Sequence, residues 1–248
     1  RARYESMSER DLGREIKRLE KQMIEFAKNL EFEQAAAAPL AAMTALQALR
    51  AHGRLQPGQR VLVYGATGGV GTFAVQIARA LGAGVTAACS AKNADLARSL
   101  GAAVVLDDRR DSLVSGGDRY DLIVAVNGYR PIGEYLRALT PEGRYVVIGG
   151  SMRQLLEAAW QCRRSSRSEC QQTRVMSLTP SQTDLTLLKQ LLVSGQVTPV
   201  IDRCFLLSEA AAAFESLERS HARGKIVLTI PPPSTDRSTH ARDSSVDD

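Results

Sequence analysis

The sequence has little of what builds a metal centre or a disulfide framework. Its 248 residues include four cysteines, Cys89, Cys162, Cys170 and Cys204, and three histidines, His52, His221 and His240. No two cysteines share a Cys-x-x-Cys spacing, and each histidine stands alone. Neither a structural nor a catalytic zinc site can be read from such spacings, so no metal is expected. Isolated cysteines read as small buried apolar residues, which suits a reducing, cytoplasmic setting. Aromatic residues make up 5% of the chain, with a single tryptophan. The net charge is +5, and part of the excess lies in Arg163-Arg-Ser-Ser-Arg-Ser168. No aromatic residue interleaves with that patch, so nucleic acid is not the expected partner. No apolar run is long enough to span a bilayer, and the start does not read as a signal peptide. Arg1 as first residue reads as a fragment or a processed chain. The remainder, 44% hydrophobic and 24% charged, is ordinary globular composition.

The stretch Arg60-Val-Leu-Val-Tyr-Gly-Ala-Thr-Gly-Gly-Val-Gly71 organises the rest. Arg60 to Tyr64 is a short run rich in apolar and β-branched residues, as a buried parallel strand requires. It runs into Ala66-x-Gly68-x-x-Gly71, a dinucleotide fingerprint with alanine in the first glycine position. A helix from Thr72 to Leu81 follows. Gly65 or Gly68 can take a tight turn at positive φ. A missing side chain at Gly68 or Gly69 lets backbone approach a pyrophosphate, and Gly71 lets helix and strand pack closely. The helix start offers N–H groups and partial positive charge to phosphates. Ala66, Thr67, Gly68, Gly69 and Val70 are therefore candidate cofactor contacts. A purely structural strand–turn–helix corner is the bland alternative.

Strand and helix patterns alternate from there. Strands are expected at Val85–Cys89, Ala103–Leu106, Tyr120–Val126 and Arg144–Ile148, with helices at Lys92–Leu100 and about Pro131–Leu139. This implies an α/β fold with a doubly wound parallel, Rossmann-like sheet. A sixth strand is read at Val175–Leu178 after a polar loop at 163–174, then an amphipathic helix at Thr183–Ser194. A short strand broken by Pro199 is read at Val197–Ile201, a helix capped by Ser208 up to Ser220, and a last strand at Lys225–Ile230. Ahead of the sheet, Leu12, Ile16, Leu19, Met23, Phe26 and Leu30 form a heptad seam. An amphipathic helix lying on its own domain is the reading taken, with a short coiled coil or partner-binding helix as the alternative. The expected organisation is an amphipathic segment over 1–31, a dinucleotide-binding domain over 32–196, a short α/β return segment over 197–230 and a disordered tail over 231–248.

One position bears on the cofactor directly. Where NAD-binding versions of this fold end the second strand with an acidic residue, this chain has Ser90, followed by Lys92 and Asn93. A hydroxyl and a cation suit a ribose 2′-phosphate, which a carboxylate would repel. Ser90 as a helix cap is the competing reading.

Several stretches taken together resemble the medium-chain dehydrogenase/reductase superfamily, in its zinc-free quinone oxidoreductase branch. They are Phe32-Glu-Gln-Ala-Ala-Ala-Ala-Pro-Leu-Ala-Ala-Met-Thr-Ala-Leu-Gln-Ala-Leu49, Pro57-Gly-Gln-Arg-Val-Leu-Val-Tyr-Gly-Ala-Thr-Gly-Gly-Val-Gly71, Leu100-Gly-Ala102, Tyr120-Asp-Leu-Ile-Val124, Leu139-Thr-Pro-Glu-Gly143, Pro199-Val-Ile-Asp202 and Arg223-Gly-Lys-Ile-Val227. The resemblance implies NADP(H) and hydride transfer to a small quinone, enone or carbonyl compound. It places Thr44 near the nicotinamide, and Asn127, Gly128, Ile148, Gly149 and Ser151 at strand ends facing the cofactor. Lys225 borders it. Enoyl-reductase domains of polyketide synthases share these motifs. Two departures stand out: Ala125 replaces a usual Asp, and Asp108 replaces a frequent aromatic residue after the third strand. The family's N-terminal substrate domain is missing from the sequence. That absence makes a truncated NADPH-binding module without turnover an alternative, and predicts exposed apolar surface or homodimerisation around 197–230. No proton donor stands out; Tyr129, Tyr135 and Ser151 are the available hydroxyls.

Overall fold

A computed structural model describes residues 37–114, 119–150, 172–179, 181–219 and 222–230, with residues 152, 156–158 and 160 between them. The heptad segment, nearly all of the polar loop, Ser151 and the C-terminal tail lie outside the described residues.

The chain enters as α1 (Pro39–Gln47), with Pro39 at its first turn, where a proline's missing N–H costs nothing. Its alanines 41, 42 and 45 are buried, as is Ala38 just before it, which lets the helix lie close on its neighbours. A π-helical turn, Ala48–His52, closes it. Then come β1 (Arg60–Tyr64), α2 (Gly71–Ala80), β2 (Gly84–Cys89), α3 (Ala94–Ser99) and β3 (Val104–Asp107). They are followed by β4 (Tyr120–Val126), α4 (Ile132–Arg137), β5 (Leu139–Ile148), β6 (Gln172–Val175) and α5 (Gln182–Val193). The six strands form one parallel sheet in the order β3-β2-β1-β4-β5-β6, the doubly wound arrangement the alternation implied.

Strand β1 shows why the sheet is central. Alternate side chains leave opposite faces. Val61 and Val63 join the core under α1, α2 and α5. Leu62 and Tyr64 join a second core around Tyr135 and Tyr145. In that second core Tyr135 stacks on Tyr145 with ring centroids 5.0 Å apart and meets Tyr64 edge-on at 5.4 Å.

Some boundaries differ from expectation, each for a local reason. β5 starts at Leu139, five residues early, and its pairing with β4 shifts register between Tyr120 and Leu122. The irregularity absorbs Pro141 and Gly143. β6 is Gln172–Val175, three residues before the expected strand, and lies partly in what read as polar loop. It is the edge strand and pairs with β5 alone, so it needs no continuous apolar run. Residues 197–200 are not a strand. The Gln76 side chain takes over their ladder: its Oε1 accepts from Thr198 N–H at 2.8 Å and its Nε2 donates to Thr198 C=O at 2.9 Å.

The strand proper is β7 (Ile201–Leu206), followed by a 3₁₀ turn at Leu207–Glu209, α6 (Ala210–Arg219) and β8 (Lys225–Thr229). Ser208 does not cap α6; the Glu209 carboxylate instead accepts from Leu206 N–H at 2.9 Å. β7 and β8 pair in parallel as a separate two-stranded sheet. Leu206, Leu207, Leu217 and Leu228 around it are exposed, with Phe214 at 64% and Ile230 at 76%. Cys204 is exposed here, against the expectation of buried cysteines; Cys89 is buried.

Candidate dinucleotide site

A cleft of about 370 Å³ opens at the carboxyl ends of β1, β2 and β4 and the residues just past β3. Ligands bind at this edge of a doubly wound sheet, where the strand order reverses. The glycine turn forms its floor. Gly65 takes the left-handed conformation at φ +74°, and its N–H donates to Ala88 C=O at 3.0 Å. Gly68 does not need positive φ. A Cβ at Gly68 would meet only Gly65 O, at 3.5 Å, so the room beside it faces the cleft. At Gly71 a Cβ would fall 2.0 Å from Gly65 O, which enforces the close strand–helix approach. No side chain caps the start of α2, so the helix presents its N-terminal amides to a ligand.

Thr67, Gly68, Gly69 and Val70 line the cleft; Ala66 is fully buried behind them. Ser90, Lys92 and Asn93 line it from the end of β2. Ser90 makes no cap hydrogen bond to the 3₁₀ turn that it opens. Asn93 is only 5% exposed and donates from Nδ2 to Thr67 Oγ1 at 3.1 Å, while its Oδ1 is buried without a partner among the described residues. Asn127 lines the cleft in the left-handed region at φ +49°, with its N–H donating to Ile148 C=O at 2.9 Å. Gly149 leaves room for Asn127 Oδ1, which a Cβ there would meet at 2.6 Å. Ile148 and Gly149 thus shape Asn127 and do not line the cleft. Thr44 is on α1, outside the lining, and donates to Leu40 C=O at 2.7 Å. Of the hydroxyls considered as proton donors, Tyr135 is fully buried and Tyr129 is exposed at the outer end of the cleft.

Lys225 comes from β8, far along the chain, yet its stem lies over the turn. A Cβ on Gly69 would meet Lys225 Cδ at 3.2 Å and Cε at 3.3 Å. Burial lowers the Lys225 pKa from its usual 10.5. A desolvated cation beside an uncapped helix start is a site that an anion relieves. At the end of β2, burial, reinforced by the charges of Asp108 and Asp107, pushes the Cys89 thiol up to about 11.

Residues that sequence reasoning passed over as contacts also line the cleft: Tyr64, Cys89, Asp108, Arg109, Val126, Tyr129 and Ala222. Cys89 and Val126 end their strands and Asp108 follows β3, so the strand-end rule could have found them. Nothing local marks Tyr129. Its ring packs edge-on against Tyr64, with centroids 5.4 Å apart, and its hydroxyl donates to Asp108 C=O at 3.4 Å. An aromatic ring therefore stands beside the position where Asp108 replaces the family's aromatic residue.

The glycine floor, the uncapped helix start, the half-buried lysine and the Asn93 oxygen without a partner among the described residues fit a dinucleotide with its pyrophosphate at the turn. A family model described as zinc-binding dehydrogenase matches residues 100–228. The mouse protein "NAD(P)H oxidoreductase RTN4IP1, mitochondrial" is 33% identical over 233 residues, covering 82% of this chain and 57% of its own length.

The chain belongs to the medium-chain dehydrogenase/reductase superfamily, in its quinone-oxidoreductase-like branch.

A chloroplastic quinone oxidoreductase of Triphysaria versicolor is 31% identical over 201 residues, 77% of this chain and 60% of that protein. The solved quinone oxidoreductase from Coxiella burnetii superposes with a TM-score of 0.72 at 27% identity, over 82% of this chain and 62% of that one. A polyketide synthase of Streptomyces halstedii also matches, at 34% identity over 209 residues, 81% of this chain and 4% of its own. The chain thus spans about 57 to 60% of the length of the first two relatives. A model of the UvrB/uvrC motif matches residues 13–38, which include most of the heptad seam. Among the described residues no group of three or more His, Cys, Asp or Glu side chains could hold a metal, and no helix is long and apolar enough to cross a membrane.

Proposed function

We propose that the chain is the NADPH-holding part of a reductase that passes hydride, without zinc, to a quinone, enone or other carbonyl compound. The observation that carries this is the cleft itself: an uncapped helix start, an open face at Gly68 and the half-buried Lys225 converge where a pyrophosphate would lie. The bound cofactor would supply the hydride; the protein binds, orients and neutralises. The glycine turn and α2 hold the two phosphates, with Lys225 as countercharge. Ser90 and Lys92 receive the ribose 2′-phosphate, at a strand end without the acidic residue that favours NAD. The family resemblance assigns Thr44, Asn127, Ile148, Gly149 and Ser151 to the nicotinamide end; of these Asn127 lines the cleft and presents a polar group there, with Ile148 and Gly149 behind it. The free thiols Cys89 and Cys204 suit a reducing, cytoplasmic setting.

Two further readings each have an observation in their favour. The polyketide synthase match supports an enoyl-reductase domain of a larger synthase. The exposed apolar side chains around β7 and β8 support a binding module that needs a second copy or another domain to complete a substrate pocket.

The test is a fluorescence titration with NADPH and NADH, then turnover against a panel of quinones and enones. NADPH should bind more tightly than NADH. Gly68→Ala should fold normally, since its Cβ meets only ordinary contact, yet lose NADPH affinity by roughly tenfold or more as the methyl enters the phosphate path. Unchanged affinity in that variant would sink the pyrophosphate placement. Binding without turnover selects the module, and reduction of enones but not quinones selects the enoyl reductase.

A further inference from the structure

Lys225 is placed as a nucleophile as well as a countercharge. It opens β8, and its N–H donates to Val200 C=O at 2.8 Å. Gly224 just before it is held in the left-handed region at φ +103°, where a Cβ would strike Val200 O. The backbone is therefore pinned, and the half-buried side chain runs into the cleft with Cδ and Cε over Gly69. Among the described residues no carboxylate pairs with its ammonium. Burial lowers its pKa from the usual 10.5, so a larger share is uncharged amine at neutral pH than in a solvated lysine. Cys89 is the other strong nucleophile lining the cleft. Burial first, then Asp108 and Asp107, pushes its thiol up to about 11, which keeps it protonated. The amine is the group there that can react.

The same cleft offers a phosphate cradle at the glycine turn and the uncapped start of α2. A lysine amine beside a phosphate site suits one class of reagent, the small acyl phosphates, in which an activated carbonyl carbon is one oxygen away from phosphorus. With the phosphate in the cradle, that carbon comes within reach of the Lys225 amine. An acyl thioester on a nucleotide carrier fits less well, since its long arm carries the reactive carbon away from the phosphates. Resting on the dinucleotide reading above, we propose that Lys225 is an acylation site, charged by a small acyl phosphate seated in the phosphate cradle, and that acylation there shuts off cofactor binding. The amine nitrogen attacks the carbonyl carbon, the N–C bond forms, and the C–O bond to phosphate breaks. Phosphate departs with the electron pair and takes up the amine proton, so no oxidant or reductant is involved. The helix amides hold the leaving charge. Bound phosphate favours the ammonium, so the step draws on the fraction that has lost its proton and quickens as pH rises. The product amide has no charge to offer a pyrophosphate and adds bulk beside Gly69. Acylation and NADPH binding therefore exclude one another.

The test incubates the chain with acetyl phosphate, with and without NADPH, and follows each lysine by peptide mass spectrometry. Lys189, exposed on α5, is the internal reference. Lys225 should be acetylated roughly tenfold faster than Lys189 or more. NADPH should suppress the reaction at Lys225 and leave Lys189 unchanged. N-acetoxysuccinimide, an acyl donor without a phosphate, should show no such preference. Gly68→Ala, which puts a methyl in the phosphate path, should remove the lead of Lys225 and leave Lys189 as it was. The acetylated chain should bind NADPH about tenfold more weakly, and Lys225→Met treated alike should lose no further affinity. Equal rates at the two lysines overturn the proposal. So does the same lead with the phosphate-free donor, a lead that survives NADPH or Gly68→Ala, or full NADPH affinity in the acetylated chain. A wild-type chain that binds no dinucleotide defeats the functional reading and takes this inference with it; NADPH binding beside unselective acetylation defeats the inference alone.

Discussion

Gly71→Ala should unfold the chain more easily although it lengthens a helix with a better helix former. An alanine Cβ at Gly71 would sit 2.0 Å from Gly65 O and 2.8 Å from both Cα and C of Ala66. All three obstacles are backbone atoms, and the worst contact is about 1.4 Å short of ordinary van der Waals distance. Gly65 cannot retreat freely. Its N–H is bonded to β2 through Ala88 C=O, and its C=O accepts from Gly68 N–H at 3.2 Å. Overpacking of this kind costs about 1–3 kcal/mol, and a lost turn hydrogen bond adds about 1 kcal/mol. The intrinsic helix gain of alanine over glycine offsets at most about 1 kcal/mol. The net loss is about 1–3 kcal/mol, or roughly 3–12 °C in thermal midpoint for a domain of this size. Gly133→Ala is the matched control. Gly133 lies in α4 at ordinary φ, with nothing within 4 Å of an added Cβ, so it should gain about 0.4–1 kcal/mol. Urea unfolding followed by circular dichroism reads both. A Gly71→Ala midpoint at or above wild type, with Gly133→Ala behaving as stated, would refute the close-approach argument.

Two further outcomes are expected. Burial depresses Lys225, so in the free chain its charge is a stability cost below its folded pKa, relieved as pH rises from there towards the unfolded value of 10.5. A bound phosphate raises that pKa again, so NADPH affinity should be full below the free-state value and fall as pH climbs through it. Lys225→Met should bind NADPH about tenfold more weakly at neutral pH and lose this alkaline dependence; an alkaline fall that survives in the variant would show that another group causes it. Gln76→Leu leaves the N–H and C=O of Thr198 without their partner, at about 2–4 kcal/mol. Hydrogen exchange should rise across 197–206, and unchanged protection there would contradict the role given to Gln76.

What could be read from the sequence was what is contiguous in it. Strand, glycine turn and helix at 60–80 form one covalent stretch, and each glycine's task follows from local geometry. Even there the turn assignment needed coordinates: positive φ fell to Gly65 and not Gly68. β6 was misplaced because an edge strand bonded on one side carries no buried apolar pattern to detect. The strand expected at 197–201 failed for a different reason, since a glutamine 122 residues away supplies the ladder that a neighbouring strand would otherwise provide.

The candidate site divides along the same line. Thr67 to Val70, Ser90, Lys92 and Asn93 were legible because fingerprint spacing and strand ends mark them. Asp108 was noticed only as a departure from the family, and Tyr129 only as a spare hydroxyl. Their joint position depends on Tyr64, Cys89 and Arg130 meeting one peptide group across three strand ends. The sequence by itself determined the doubly wound sheet, the glycine cradle and the family, because these rest on short-range pattern. Tertiary structure alone decided that Lys225 covers Gly69, that Gln76 holds the return segment and that Asp108 Oδ1 is buried without a partner among the described residues. Those facts come from side chains brought together over long separations, where burial sets the cost of every unpaired polar atom.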